Sequence, residues 1–587
     1  MTNPADRRVS RRQAMQVGIG GVAASAVAGR AALASPNQQG GASRFAAAPF
    51  AEIEEMSVAE MRAALDSGDL TSRELVNMYI SRIEAIDQQG PTLNSVLQLN
   101  PDAAAIAAER DEELAAGESR GPLHGIPVLL KDNIDTADGM YTTAGSLALM
   151  ASTPAQDATV VAKLRDAGAV ILGKTNLTEW ANFRGFQASN GWSGRGGQTR
   201  NPYALDRSPS GSSSGSAVAV SANLTAIALG TETNGSLVSP AAINGIVAIK
   251  PTVGLTSRAG VIPISATQDT VGVMGRTVGD AAMALGSLTG VDPRDPATEL
   301  SEGQSHTDYT QFLDAGALQG ARIGVPRNAG FTGYSPETDA IFEQALDALR
   351  ALGAEIVDPA DIPTAEALNE VPGAFERLQY EFKRDLNLYL EERQDPEIGT
   401  LADLIAFNER RRDAEMTFFQ QEIFDLSEAY TDADTPMYEE LNERLTRQAG
   451  PEGIDAVLAE HDLDALIAPT FGPASSIDLV NGDQFLGASS GIAAMAGYPL
   501  VAVPMGFAFG LPLGITFMGT AFSEQDLIRL AYAFEQATMM RRPPTYRANS
   551  IMLDGSLTGV EGPSVPGIGV AATPGGEDST PEATPAM

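Results

Sequence analysis

The 587-residue chain has no cysteine. That absence removes disulfides, thiolate nucleophiles and zinc–thiolate centres together. Any nucleophile is therefore an oxygen or a nitrogen. Histidine is scarce as well: His124, His306 and His461 are the whole complement. With neither an H-E-x-x-H helix nor a D-x-D-x-D-G loop, a metal would have to rest on carboxylates, so neither a metal nor another cofactor is expected. Basic residues are outnumbered, 39 Lys and Arg against 75 Asp and Glu, and the net charge is -36. Such a surface repels phosphate backbones, and no basic stripe with interleaved aromatics offsets it, which argues against nucleic acid as a partner. Beyond the N-terminus there is no uninterrupted apolar run of about 18 residues, so no membrane span is expected.

A hydrophobic content of 43% over this length is enough for one large core or two ordinary ones. The N-terminus places Arg7, Arg8, Arg11 and Arg12 before a Gly/Ala-rich apolar run that ends in Ala32-Leu33-Ala34. Basic region, apolar region and small-residue cleavage site, in that order, resemble a twin-arginine export signal over residues 1–34. This implies a folded protein exported to the periplasm, the envelope or beyond. A disordered basic arm is the plainer alternative. Residues 35–50 read as a linker, and one domain follows over 51–548.

Within that domain, Ser57 with Glu60 and Thr71 with Glu74 have capping-box spacing and predict two helix starts. Strand-like runs such as "GIPVLLK" (125–131) and "AVILGK" (169–174) then alternate with helical ones, the pattern of an α/β layered core. Residues 366–462 are charged and helically periodic, and form an insertion that is either a substrate-side cap or a solvated structural helix pair. Short apolar strands return in "DALIAPT", "YPLVAVP" and "LPLGITFMG", and "SEQDLIRLAYAFEQAT" closes the domain as a helix. The Thr/Pro/Gly-rich tail, 549–587, is expected to be disordered, because it has too little apolar surface to order itself.

Two patterns compete for the chemistry. Gly211-Ser212-Ser213-Ser214-Gly215 satisfies G-x-S-x-G, the nucleophile elbow of Ser-His-Asp hydrolases. The elbow needs a buried strand just before it, yet "TRNPYALDRSP" precedes it, and the histidines lie in unsuitable settings. The second pattern begins with Lys131 at the end of an apolar strand, where burial would favour a neutral amine able to act as a base. A lysine that snorkels to water fits the same position, and Lys174 and Lys250 have similar settings, so location alone does not single out Lys131.

Three segments together do. "GPLHGIPVLLKDNID", "RSPSGSSSGSAVAV" and "LGTETNGSLVSPAAINGIVAIKPT" resemble, in order and spacing, the three blocks of the amidase signature family, over roughly residues 51–545. The resemblance implies a single large domain with a central mixed β-sheet flanked by helices. It also implies a catalytic triad in which Lys131 is the base, Ser212 the bridging serine held through a cis peptide bond, and Ser236, 24 positions on, the nucleophile. The turn Thr233-Asn234-Gly235-Ser236 would supply backbone N–H groups to an oxyanion. Departures from the usual GTDTGGSIR block are Glu232, Asn234 and Val238, and Ser210 stands where Gly is common. They count against the glutamine-dependent tRNA amidotransferase subunit. "GTETNGS" and "KPTVGLTSRAGVIPIS" are similar to the branch that contains bacterial peptide amidases. The expected substrate is a small-molecule or peptide amide. An ammonia-releasing amidotransferase-like subunit and a non-catalytic exported binding protein are the alternatives.

Overall fold

A computed structural model describes residues 48–370, 373–549 and 559–565. The signal expected over 1–34 and most of the 35–50 linker lie outside the described residues. Both capping boxes form: Ser57 and Thr71 accept from the amides of Glu60 and Glu74, whose carboxylates return the bond, and the helices Val58–Ser67 and Ser72–Arg82 start there.

Fourteen strands follow in chain order. The first seven are β1 Val96–Leu99, β2 Pro127–Lys131, β3 Val170–Thr175, β4 Trp192–Ser193, β5 Gly197–Gln198, β6 Ile227–Glu232 and β7 Val247–Lys250. The others are β8 Thr270–Gly275, β9 Arg322–Gly324, β10 Glu355–Val357, β11 Ala465–Pro469, β12 Leu500–Ala508, β13 Leu511–Met518 and β14 Val560–Glu561. β4 and β5 make a small hairpin. The rest form one mixed twelve-stranded sheet in the order β1-β3-β2-β6-β8-β7-β12-β13-β11-β9-β10, with β14 alongside β12. β3, β2 and β6 run parallel at one end and β11, β9 and β10 at the other, while the middle is antiparallel.

β2, β3, β6, β12 and β13 are buried at every residue, which explains why they read as continuous apolar runs rather than as alternating ones. Helices cover the sheet. One of them, Ser214–Ser221, is itself wholly buried. Small side chains let it approach closely: a Cβ on Gly215 would stand 2.3 Å from the Ser95 carbonyl oxygen.

The charged segment after residue 364 is helical, with its longest helices at Ala374–Arg393 and Thr435–Ala449. It is not a solvated pair. Phe382, Leu386, Leu390, Leu401 and Leu404 are buried in one cluster with Trp180, Phe183, Ile262 and Ile264, so the segment leans on the loops at one edge of the sheet.

The tail departs from its expected disorder over 559–565. Val560 and Glu561 pair with Ala508 and Phe507 of β12, and Val565 packs against the main core. The apolar residues in "GVEGPSV" suffice to dock one short strand on a sheet that has a vacant backbone edge.

Candidate active site

β2 and β6 are parallel neighbours, so their carboxyl ends open on the same edge of the sheet, where crevices form in α/β proteins. Lys131 ends β2 and is fully buried. Its Nζ lies 2.8 Å from Ser212 Oγ, 2.8 Å from Thr231 Oγ1 and 3.2 Å from the Thr231 carbonyl oxygen.

Ser212 reaches the lysine on a tight loop with no strand directly before it, so the nucleophile-elbow geometry is absent. The Gly211–Ser212 peptide bond is cis, and Ser210 has φ 58°. This left-handed conformation is the physical reason glycine is common at position 210. Ser213 joins this loop to the next: its N–H donates to the Ser236 carbonyl at 3.2 Å and its Oγ to the Thr231 carbonyl at 3.0 Å.

The turn that follows β6 is held from several sides. Glu232 accepts from the N–H groups of Leu237 at 2.7 Å and Val238 at 3.1 Å. Thr233 Oγ1 donates to Asp269 at 2.5 Å, and Gln268 Nε2 donates to the Thr233 carbonyl at 3.0 Å. Ser490 Oγ donates to Asn234 Oδ1 at 2.7 Å. Gly235 has φ 79°, and a Cβ there would crowd the hydroxyls of Ser239 and Ser490. Against these restraints, the N–H groups of Thr233, Asn234, Gly235 and Ser236 donate to no described residue. Ser236 itself is half-buried.

Burial pulls Lys131 down to about 7, against the opposing pull of the Asp269 and Glu232 carboxylates. An ordinary lysine at neutral pH is uncharged in on the order of one molecule in a thousand, so desolvation converts a rare species into a major one. Lys174 and Lys250 are also buried and lowered to about 8. Their partners separate them from Lys131. Lys174 bonds to the Ile134 carbonyl and Thr142, and Lys250 to the carbonyls of Pro251 and Tyr498. Neither is bonded to a serine. Asp132 lies in the turn just past the end of β2 and is bonded to Arg195 at 2.9 Å rather than to Lys131. His124 is engaged with the Arg110 carbonyl, and His306 packs on Tyr309 and Phe312.

Sequence reasoning missed Thr231 and Asn133. Thr231 holds the amine through two oxygens, and Asn133 Nδ2 donates to its hydroxyl at 3.0 Å. Thr231 lies within the quoted "LGTETNGS" block, so period-2 alternation along β6 was the available signal.

Two cavities adjoin the site. One, of about 220 Å³, is lined by Thr231, Thr233, Asn133, Asp269 and Ala181 among others. The other, of about 320 Å³, reaches Ser210 and Asn182 and is walled by Phe186, Phe375, Phe471 and Phe485.

A model of the family described as Amidase matches residues 74–528. The fold and the match together define an amide C–N hydrolase, and the chain belongs to the amidase signature family. It is similar to the peptide amidase PAM, solved in complex with the competitive inhibitor chymostatin. That likeness is 52% identity and a TM-score of 0.81, covering 84% of this chain and 99% of the other. It is likewise similar to the native peptide amidase of Stenotrophomonas maltophilia, at 51% identity and a TM-score of 0.80, with coverage of 84% and 98%. A probable amidase of Arabidopsis thaliana is 42% identical over 516 residues, 87% of this chain and 95% of its own length.

Proposed function

We propose that the protein hydrolyses carboxamides, among them the C-terminal amide of peptides, through an acyl-enzyme on Ser236. Neutral Lys131 takes a proton from Ser212 while Ser212 takes one from Ser236, and the Ser236 oxygen attacks the amide carbon. The N–H groups of Thr233 to Ser236 hold the resulting oxyanion. The proton returns along the relay to the departing ammonia or amine, and water releases the acid by the same route.

The observation that carries this reading is the buried lysine amine 2.8 Å from Ser212 Oγ, with burial holding its pKa near 7. Peptide amides are favoured over small amides because the aromatic-walled cavity beside Ser210 offers room for acyl side chains, and because two similar solved proteins are named peptide amidases. Val238 is buried in an apolar cluster with Leu466 and Leu500, which leaves no cation at the position where the amidotransferase-type block carries arginine.

The test is ammonia release from a panel of peptide, aliphatic and aryl amides, together with mass spectrometry of protein quenched during turnover of a slow substrate. An acyl adduct on the peptide that contains Ser236 is expected. An adduct elsewhere, or turnover undiminished in Ser236→Ala, would refute the reading.

A further inference from the structure

Outside the site just described, two carboxylates from distant parts of the chain are buried against one glycine. Glu179 precedes the loop Trp180–Asn182, and Glu415 ends the helix Arg412–Glu415; both are fully buried. A Cβ placed on Gly194 would stand 3.0 Å from Glu179 Oε2 and 2.8 Å from Glu415 Oε2, so the two oxygens face the same point. Glu179 is otherwise engaged: its Oε1 pairs with Arg184 Nε at 2.7 Å, and its Oε2 accepts the Gly194 N–H at 2.5 Å. Glu415 Oε1 accepts from the Leu147 N–H at 2.6 Å and from Ser146 Oγ at 3.3 Å. Glu415 Oε2 is buried with no hydrogen-bond partner among the described residues.

The charged surroundings do not neutralise the pair. Among the described residues, Arg184 is the buried cation that acts on both carboxylates, and Arg411, which acts on Glu415, is exposed. Arg195, beside Gly194, is spent on Asp132. Glu422, on the next helix, comes up against Gly185 and is exposed. Two carboxylates against one buried guanidinium leave a negative charge in the interior, and a buried carboxyl avoids that cost by keeping a proton. Burial accordingly raises both groups above the usual carboxylate range.

We propose that Glu179 and Glu415 share one proton between their Oε2 atoms, and that this proton fastens the loop Trp180–Asn182 to the helical segment. The loop needs fastening: Trp180, Ala181 and Asn182 are consecutively left-handed, at φ 52°, 52° and 70°. Such backbone persists only where its surroundings hold it. Ala181 lines the cavity that reaches Thr231, and Asn182 lines the aromatic one. The shared proton thus sets the position of the wall between them. When it is lost, two like charges repel in the interior and the wall loosens. Glu179 and Glu415 are positioning residues. Their effect on turnover rests on the amide-hydrolase mechanism proposed above, whereas the shared proton does not.

The chain supplies its own reporter. Trp180 and Trp192 are its two tryptophans, one adjacent to Glu179 and the other two positions before Gly194, so tryptophan emission from the full-length protein reads this corner alone. Raising the pH from neutral into the alkaline range should give one reversible emission change with far-UV circular dichroism unaltered. Glu415→Gln keeps the shape and brings its own N–H donor to Glu179, and it should abolish the change; Glu179→Gln should do the same, and either variant suffices if the other fails to fold. Across the wild-type transition the KM for a peptide amide should rise severalfold with kcat little altered, and it should stay flat in Glu415→Gln. A flat wild-type titration, or an unchanged midpoint in a folded Gln variant, overturns the shared proton. If no amide proves to be a substrate, the fluorescence result still decides the pair, and only the mechanism above is lost.

Discussion

At the scale of single residues, Ser236→Ala should abolish turnover while leaving the thermal midpoint nearly unchanged, because the side chain is only half-buried and no more than a hydroxyl is lost. Ser212→Ala and Lys131→Ala should each cost several orders of magnitude in kcat, and the double variant should cost little more than either, as expected of groups that act as one relay. The pH dependence follows from the lysine. Below about 7 the amine keeps its proton and cannot act as a base, so kcat/KM should climb through that ionisation, ahead of the alkaline fall that the Glu179–Glu415 pair imposes through KM. Asp269 pulls the lysine upward, so Asp269→Asn should move this limb to lower pH. Lys131→Arg should be nearly inactive, since guanidinium stays protonated. A limb that persists near the ordinary lysine value would show that the amine is charged in the free enzyme. Lys131, Ser212 and Ser236 became candidates in the sequence only through the resemblance of the three segments that carry them to the amidase signature blocks; neither composition nor strand position singled them out. The Asp132 orientation was not legible from strand alternation, because β2 ends at Lys131 and Asp132 lies in the turn beyond it. What separates Lys131 from Lys174 and Lys250 was not, because the distinction lies in oxygens brought from elsewhere in the chain: a serine and a threonine in one case, mainly carbonyls in the others.

At the scale of elements, the helices after residue 364 are a wall of the site region. Phe375, on the helix Ala374–Arg393, meets Phe186 at 5.7 Å between ring centroids, and Phe471 meets Phe485 at 5.6 Å. Phe186 and Phe485 remain 60% and 70% exposed, more than a core role would leave them. Phe375→Ala and Phe485→Ala should therefore raise KM for amides with aromatic acyl groups, by about tenfold if one to two kcal/mol of apolar contact is lost, and should barely affect acetamide-sized substrates. Equal losses on both classes would remove the aromatic cavity from substrate binding. Helical periodicity gave this segment its secondary structure but not its role. Glu179 and Glu415 are 236 positions apart, and no local pattern could bring them against Gly194.

For the whole molecule, the alternation of strands and helices correctly indicated an α/β core, and continuous apolar runs marked the strands buried on both faces. The order of strands in the sheet was not legible, because pairing such as that of β12 with β7 joins residues some 250 positions apart. We propose that residues 1–34 direct export of the folded chain, a reading that rests on the order of basic residues, apolar run and Ala32-Leu33-Ala34. Replacing Arg11 and Arg12 with Lys should leave precursor in the cytoplasm, and N-terminal sequencing of the exported form should begin at Ser35. An intact Met1 or Thr2 on envelope protein would count against it.

β14 bears on how the molecule behaves in solution. It occupies the backbone edge of β12 beyond the end of β7, covering Phe507 and Ala508. A chain ended at Asn549 would keep every residue of the proposed relay yet bare that edge beside buried apolar residues, a template for another chain to add a strand. Such a shortened protein should be active when dilute and should self-associate as it is concentrated, the outcome expected if β14 guards that edge against aggregation.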